Sequence, residues 1–117
     1  MGGESVAGNK QKETGTIDWL TPNIGATNES GVTALQGGYR SYDGTFNNIR
    51  WKGYWWSSTE DSAALAFCRD INYNFGKVDK TRSNKNGGFS IRCLKNKTLF
   101  QERKLIWQCY EYSFWII

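Results

Sequence analysis

Ala64-Leu-Ala-Phe-Cys-Arg-Asp-Ile71, Asn72-Tyr-Asn-Phe-Gly76 and Lys77-Val-Asp-Lys80 follow one another without a gap, and their reading decides the fold. On an extended chain Leu65, Phe67 and Arg69 fall on one face, and Ala66, Cys68 and Asp70 on the other. The Asn- and Gly-rich segment that follows is turn chemistry, because Asn and Gly tolerate tight backbone conformations. Strand, turn and second strand together predict an antiparallel hairpin. A second alternation, in Gly88-Phe-Ser-Ile-Arg-Cys-Leu94, sets Phe89, Ile91 and Cys93 against Ser90 and Arg92 and predicts another strand. The 13 Gly and 10 Asn oppose helix, so helix is poorly supported anywhere before residue 96. Six each of Trp, Tyr and Phe point to a β-rich core built on a few large rings.

Upstream, Gly53-Tyr-Trp-Trp-Ser57 and Val32-Thr-Ala-Leu35 are further apolar runs, separated by Gly37-Gly38, Asp43-Gly44 and Asn47-Asn48. Residues 1–31 read as loop, with Trp19 and Leu20 pinning that loop to a core. Trp55 and Trp56 must point to opposite faces of a strand. One ring belongs to the core and the other to the surface, and Trp55 is expected to be the exposed one. Gly37-Gly-Tyr-Arg40 and Gly87-Gly-Phe-Ser90 share a shape, two glycines and then an aromatic residue entering a strand. Neither is a phosphate loop, since no Lys-Ser/Thr follows. Composition shifts near Asn96, and the last 22 residues hold six of the 18 aromatics with no Gly or Pro.

The chain has 117 residues, enough for one small domain. It has no His, which removes Ser-His-Asp and Cys-His catalysis and imidazole metal sites. Its net charge is +4, and residues 1–95 carry 12 Lys/Arg against 9 Asp/Glu. The cluster Lys77, Lys80, Arg82 and Lys85 is diluted by Asp79, so nucleic acid is not an expected partner. The three cysteines, Cys68, Cys93 and Cys109, form no C-x-x-C pair, and the odd number leaves at least one without a partner in the chain. Asn28-Glu29 and Glu60-Asp61 are the best oxygen-ligand pairs for calcium, but turn and capping roles are expected of them, and no metal or cofactor is predicted. The N-terminus lacks the basic and apolar regions of a signal peptide. The apolar stretch from Leu105 to Ile117 is too short for a membrane span.

Gly25-Ala-Thr-Asn-Glu-Ser-Gly31, Ala34-Leu-Gln-Gly-Gly-Tyr-Arg40, Asp43-Gly-Thr-Phe46, Tyr54-Trp-Trp-Ser-Ser-Thr59 and Gly88-Phe-Ser-Ile-Arg-Cys93 stand in an order and spacing that resembles the Fibrobacter succinogenes major paralogous domain. The resemblance covers residues 1–95 and leaves 96–117 as an unrelated aromatic tail. It departs from the family at Gln36, where Pro is usual, and at Val32, where Phe is usual. It implies a C-type-lectin-like α+β fold, mostly β and loop, here an incomplete domain with antiparallel strands and little helix. The family's upstream half would hold the neighbour of the final strand and the disulfide partner of Cys93. On this reading the isolated chain is marginally stable and self-associates, with Cys93 a free thiol and only the tail available to cover the gap.

The family occurs in secreted and surface proteins of bacteria, so the resemblance implies an extracellular, non-catalytic binding module with a glycan or protein ligand. Its surface is expected to use Trp55, Tyr42 and Tyr73 with the amides of Asn47, Asn48, Asn84 and Asn86, since rings and short amides give contact area at low entropy cost. Two or more of these rings on one exposed patch would favour binding. A lone exposed Tyr would favour a structural display domain without a ligand. The related formylglycine-generating enzymes use paired cysteines with copper. For Cys68 and Cys93 no acid–base partner is evident, so no enzyme activity is expected.

Overall fold

The computed structural model describes residues 3–93; the expectations placed on the tail, 96–117, lie outside these residues. The hairpin read from Ala64–Lys80 forms as β4 (Leu65–Asn72) and β5 (Val78–Asn84). Strand β3 (Lys52–Glu60) pairs antiparallel with β4, giving a three-stranded sheet of order β3-β4-β5. A short ribbon joins β1 (Tyr39–Arg40) to β2 (Phe46–Asn47). The architecture is thus mostly antiparallel β, with one helix, α1 (Glu4–Gln11), among the described residues.

Cross-strand partners share a face, so the register Gly53↔Ile71, Trp55↔Arg69 and Ile71↔Val78 defines one side of the sheet. That side is the core. Trp19, Ala34, Trp55, Ile71 and Val78 are buried there as one cluster. Trp19 is fully buried, as expected, and its indole N–H donates to the Ala34 carbonyl at 3.1 Å, so burying the ring leaves no polar atom unpaired.

Helix α1 is a short helix in a mostly β protein, and it corrects the reading of residues 1–31 as loop throughout. Its sequence, Glu-Ser-Val-Ala-Gly-Asn-Lys-Gln, has no apolar stripe, and tertiary contacts rather than propensity hold it. Gly8 is buried against the turn after β4. A Cβ there would lie 2.8 Å from the Gly76 carbonyl oxygen and 2.9 Å from that of Lys77, so only glycine permits the approach. Asn9 N–H donates to the Gly76 carbonyl, and Arg69 pairs with Glu4 at 2.8 Å.

Just past the helix, Lys12 is fully buried. Its ammonium donates to the carbonyls of Ile24 (2.7 Å), Asn72 (3.2 Å) and Phe75 (3.1 Å) and lies 5.9 Å from the Trp19 ring centroid. Burial pulls its pKa down to about 8. One side chain therefore ties the helix end, the 20s loop and the β4–β5 turn together.

The last expected strand is only partly realised. Arg40 bridges Gly88, and Ser90 bridges Trp55, but residues 91–93 join no strand and Ile91 is exposed. Alternation in that segment therefore delivers Phe89 to the protein and leaves Ile91 in water. Cys68 is a buried free thiol, while Cys93 is in a disulfide, which corrects the expectation that Cys93 is free. The two cysteines are not bonded to each other.

Candidate functional site

The sheet face opposite the core carries Lys52, Tyr54 and Trp56 on β3, because these alternate with the buried Gly53 and Trp55. The two double-glycine motifs bring two further rings to this face. Gly38 pairs with β3 through its N–H to the Lys52 carbonyl (2.9 Å). Its φ of 59° and its packing against the Asn47–Ile49 backbone exclude a side chain. Ser90 pairs two residues further along β3, donating to the Tyr54 carbonyl (3.0 Å) and accepting from Trp56 N–H (3.1 Å). Arg40 and Gly88 exchange two backbone hydrogen bonds, both 2.8 Å, which fixes the motifs side by side.

The residue after each Gly-Gly pair is aromatic, Tyr39 in one motif and Phe89 in the other, and the rings meet. Tyr39 lies edge-on to Tyr54 (centroids 5.1 Å apart) and to Phe89 (5.7 Å). Phe89 is 5.2 Å from Tyr54 and stacks on Trp56 at 4.3 Å with 16° between planes. All four rings are half-buried, and Trp56 also packs partly against the core. The edge-on and stacked contacts suit the ring quadrupoles.

Polar groups border the cluster. Asn48 donates from Nδ2 to the Tyr54 hydroxyl at 2.8 Å. The Lys52 ammonium lies 5.7 Å from the Tyr54 centroid and pairs with the buried Asp70 carboxylate at 3.0 Å. Burial alone lowers the Lys52 pKa, but the bond and charge of Asp70 outweigh it and hold the ammonium above its usual value. Burial raises the Tyr54 phenol, partly offset by Asn48 and Lys52, so it stays neutral at physiological pH. What such a surface offers is flat apolar area with a hydroxyl, an amide and a neutralised ion pair at its edge.

The residues expected from sequence do not converge. Trp55 is 5% exposed and belongs to the core, which corrects its assignment to the surface. The reason is local: a Cβ at Gly53 would collide with the Trp55 ring, so the glycine two residues earlier is what lets this indole lie flat on the core face. Tyr73 packs against the core, with its ring 6.2 Å from that of Trp51. Tyr42 is 76% exposed in the turn after β1. Asn84 accepts from the N–H of Asn86 at 2.9 Å, forming the turn beyond β5. Asn47 caps its own ribbon through Thr45. Of the seven, Asn48 alone bonds directly to a ring of the cluster, while Tyr39, Tyr54, Trp56 and Phe89 were missed. Their signal was present in the shared Gly-Gly-aromatic shape and in the i, i+2 placement of Tyr54 and Trp56.

Both candidate calcium pairs are engaged elsewhere. Asn28 bonds Thr33 through both its amide atoms, and Glu29 pairs with Lys10. Glu60 pairs with Lys85, and Asp61 with Arg82 at 3.6 Å. Among the described residues no group of three or more Cys, Asp or Glu is placed to hold a metal ion, and no helix is long and apolar enough to cross a membrane. Burial raises the Cys68 thiol pKa, keeping it protonated at neutral pH and a poor nucleophile.

Compared with known families, the chain matches the one described as Fibrobacter succinogenes major domain over residues 1–95. No curated protein and no solved structure matches it.

Proposed function

The chain belongs to the Fibrobacter succinogenes major domain family, and from that premise we propose that it is a non-catalytic binding module of a bacterial surface or secreted protein, on a C-type-lectin-like α+β scaffold. The observation that carries this reading is the convergence of Tyr39, Tyr54, Trp56 and Phe89 on one sheet face. Two separate chain segments, each with a double glycine, are spent on bringing rings to that face. Aromatic rings that keep part of their surface in water while packed together form a preorganised contact area, which is what a binding hot spot requires. The test is an array of glycans and surface proteins probed with the chain and with its Trp56→Ala variant. Capture that is lost in the variant supports the reading, and no capture at all opposes it.

A structural display domain without its own ligand is the second reading. The observation in its favour is that Trp55 and Tyr73 are committed to packing, so Tyr42 stands alone among the rings first expected at the surface.

A further inference from the structure

We infer that the ligand of the Tyr39–Tyr54–Trp56–Phe89 face is an uncharged carbohydrate chain. This rests on the binding-module reading and gives it a ligand class. Three observations lead there. Charge is the first. On this face Lys52 is matched by Asp70 at 3.0 Å, and Asp79 by Lys77 at 2.6 Å. Both aspartates therefore already hold a lysine, and at the buried Asp70 an acidic glycan or a charged peptide gains little by displacing the pair.

The second observation is the sheet edge. Peptides are commonly captured by adding a strand to a free edge. Beside the rings, the β3 edge is already taken by Gly38 and Ser90, whose backbones bond Lys52, Tyr54 and Trp56. A ligand must be read by side chains.

The third is the match of those side chains to sugars. Pyranose C–H faces are flat, apolar and slightly positive, and lie well on ring faces with a negative quadrupole. Sugar hydroxyls both donate and accept. The neutral Tyr54 hydroxyl accepts from Asn48 Nδ2 and keeps its own hydrogen to donate, and an amide supplies both kinds of group.

Affinity electrophoresis in native gels tests the inference. The gels contain a neutral β-glucan, xylan or mannan, or acidic polygalacturonate or alginate, each run at low and high salt. The expected result is retardation in at least one neutral gel, unchanged by salt. Trp56→Ala should weaken it about tenfold or more, equal to about 1.4 kcal/mol. Because Trp56 also touches the core, Asn48→Gly is the second variant. Asn48 has φ 58°, so glycine keeps the backbone and deletes only the amide, and a several-fold loss is expected. Neutral-gel retardation that neither variant weakens overturns the site. Retardation confined to acidic gels and abolished by salt overturns the ligand class and leaves the binding-module reading standing. Retardation in no gel overturns the inference. In that case, protein-array capture lost on Trp56→Ala preserves the binding module, and no capture on either platform sinks both.

Discussion

Replacing Lys12 with Met keeps the aliphatic stem and removes the ammonium that joins three chain segments. At pH 7 two effects oppose each other. The carbonyls of Ile24, Asn72 and Phe75 lose their donor, at a cost of about 1 kcal/mol or more each. Against this, a pKa of about 8 in place of 10.5 means that burying the charge costs on the order of 3 kcal/mol, at about 1.4 kcal/mol per unit, and the variant escapes that cost. The two terms nearly cancel, and the net change at pH 7 is therefore small. The pH dependence is the sharper test. Between pH 8 and 10.5 the unfolded chain keeps the Lys12 proton and the folded one releases it, so wild-type stability rises with pH through this window. Cys68 and Tyr54, both raised by burial, and Lys52 and Lys77, both raised by their aspartates, act in the opposite sense at high pH. They are common to both proteins and cancel in the difference. Urea melts of wild type and Lys12→Met from pH 7 to 10.5 should show the gap widening by about 3 kcal/mol. A flat or narrowing gap would refute the argument that the ammonium is held at a desolvation cost.

Gly8→Ala should destabilise by about 1–3 kcal/mol in urea melts, because its methyl meets backbone carbonyls that cannot move aside cheaply. In an unconstrained helix the same change would stabilise by about 1 kcal/mol, so a gain would show that α1 is not docked. Trp55→Ala should cost about 3–5 kcal/mol while Tyr42→Ala stays within about 0.5; comparable losses in thermal melts would reverse the core assignment. No salt-sensitive gel shift with DNA or RNA is expected, since Lys77, Arg82 and Lys85 are each held by a carboxylate and few phosphate contacts remain.

What the sequence disclosed, and what it withheld, follows from the range of the forces involved. The β4–β5 hairpin was legible because alternation and an Asn-rich turn are local signals, and both strands formed around that turn. Trp19 was legible because a lone large ring in a polar loop has nowhere to go but inward. Helix α1 was not, because its residues favour it weakly and its support comes from Gly76, Arg69 and the Asn72 and Phe75 carbonyls at Lys12, some 60 or more positions away. Alternation established that Trp55 and Trp56 face opposite ways but not which one faces the core. Gly53 held the answer, since room for a ring beside it exists on one face only. The candidate site was half legible. The two Gly-Gly-aromatic motifs were visible as a repeated shape, but their meeting on β3 depends on the Arg40–Gly88 bridge, which no local pattern encodes.

The central claim is that ligand contacts the face carrying Trp56 and not the one carrying Trp55. Tryptophan indole N–H resonances report this directly, with each of the six assigned by single Trp→Phe replacement. On titration with a soluble neutral oligosaccharide, the Trp56 signal should shift progressively and saturate, while the signals of the buried Trp19 and Trp55 hold still. A saturating shift at the exposed Trp51 with Trp56 unmoved would contradict the account.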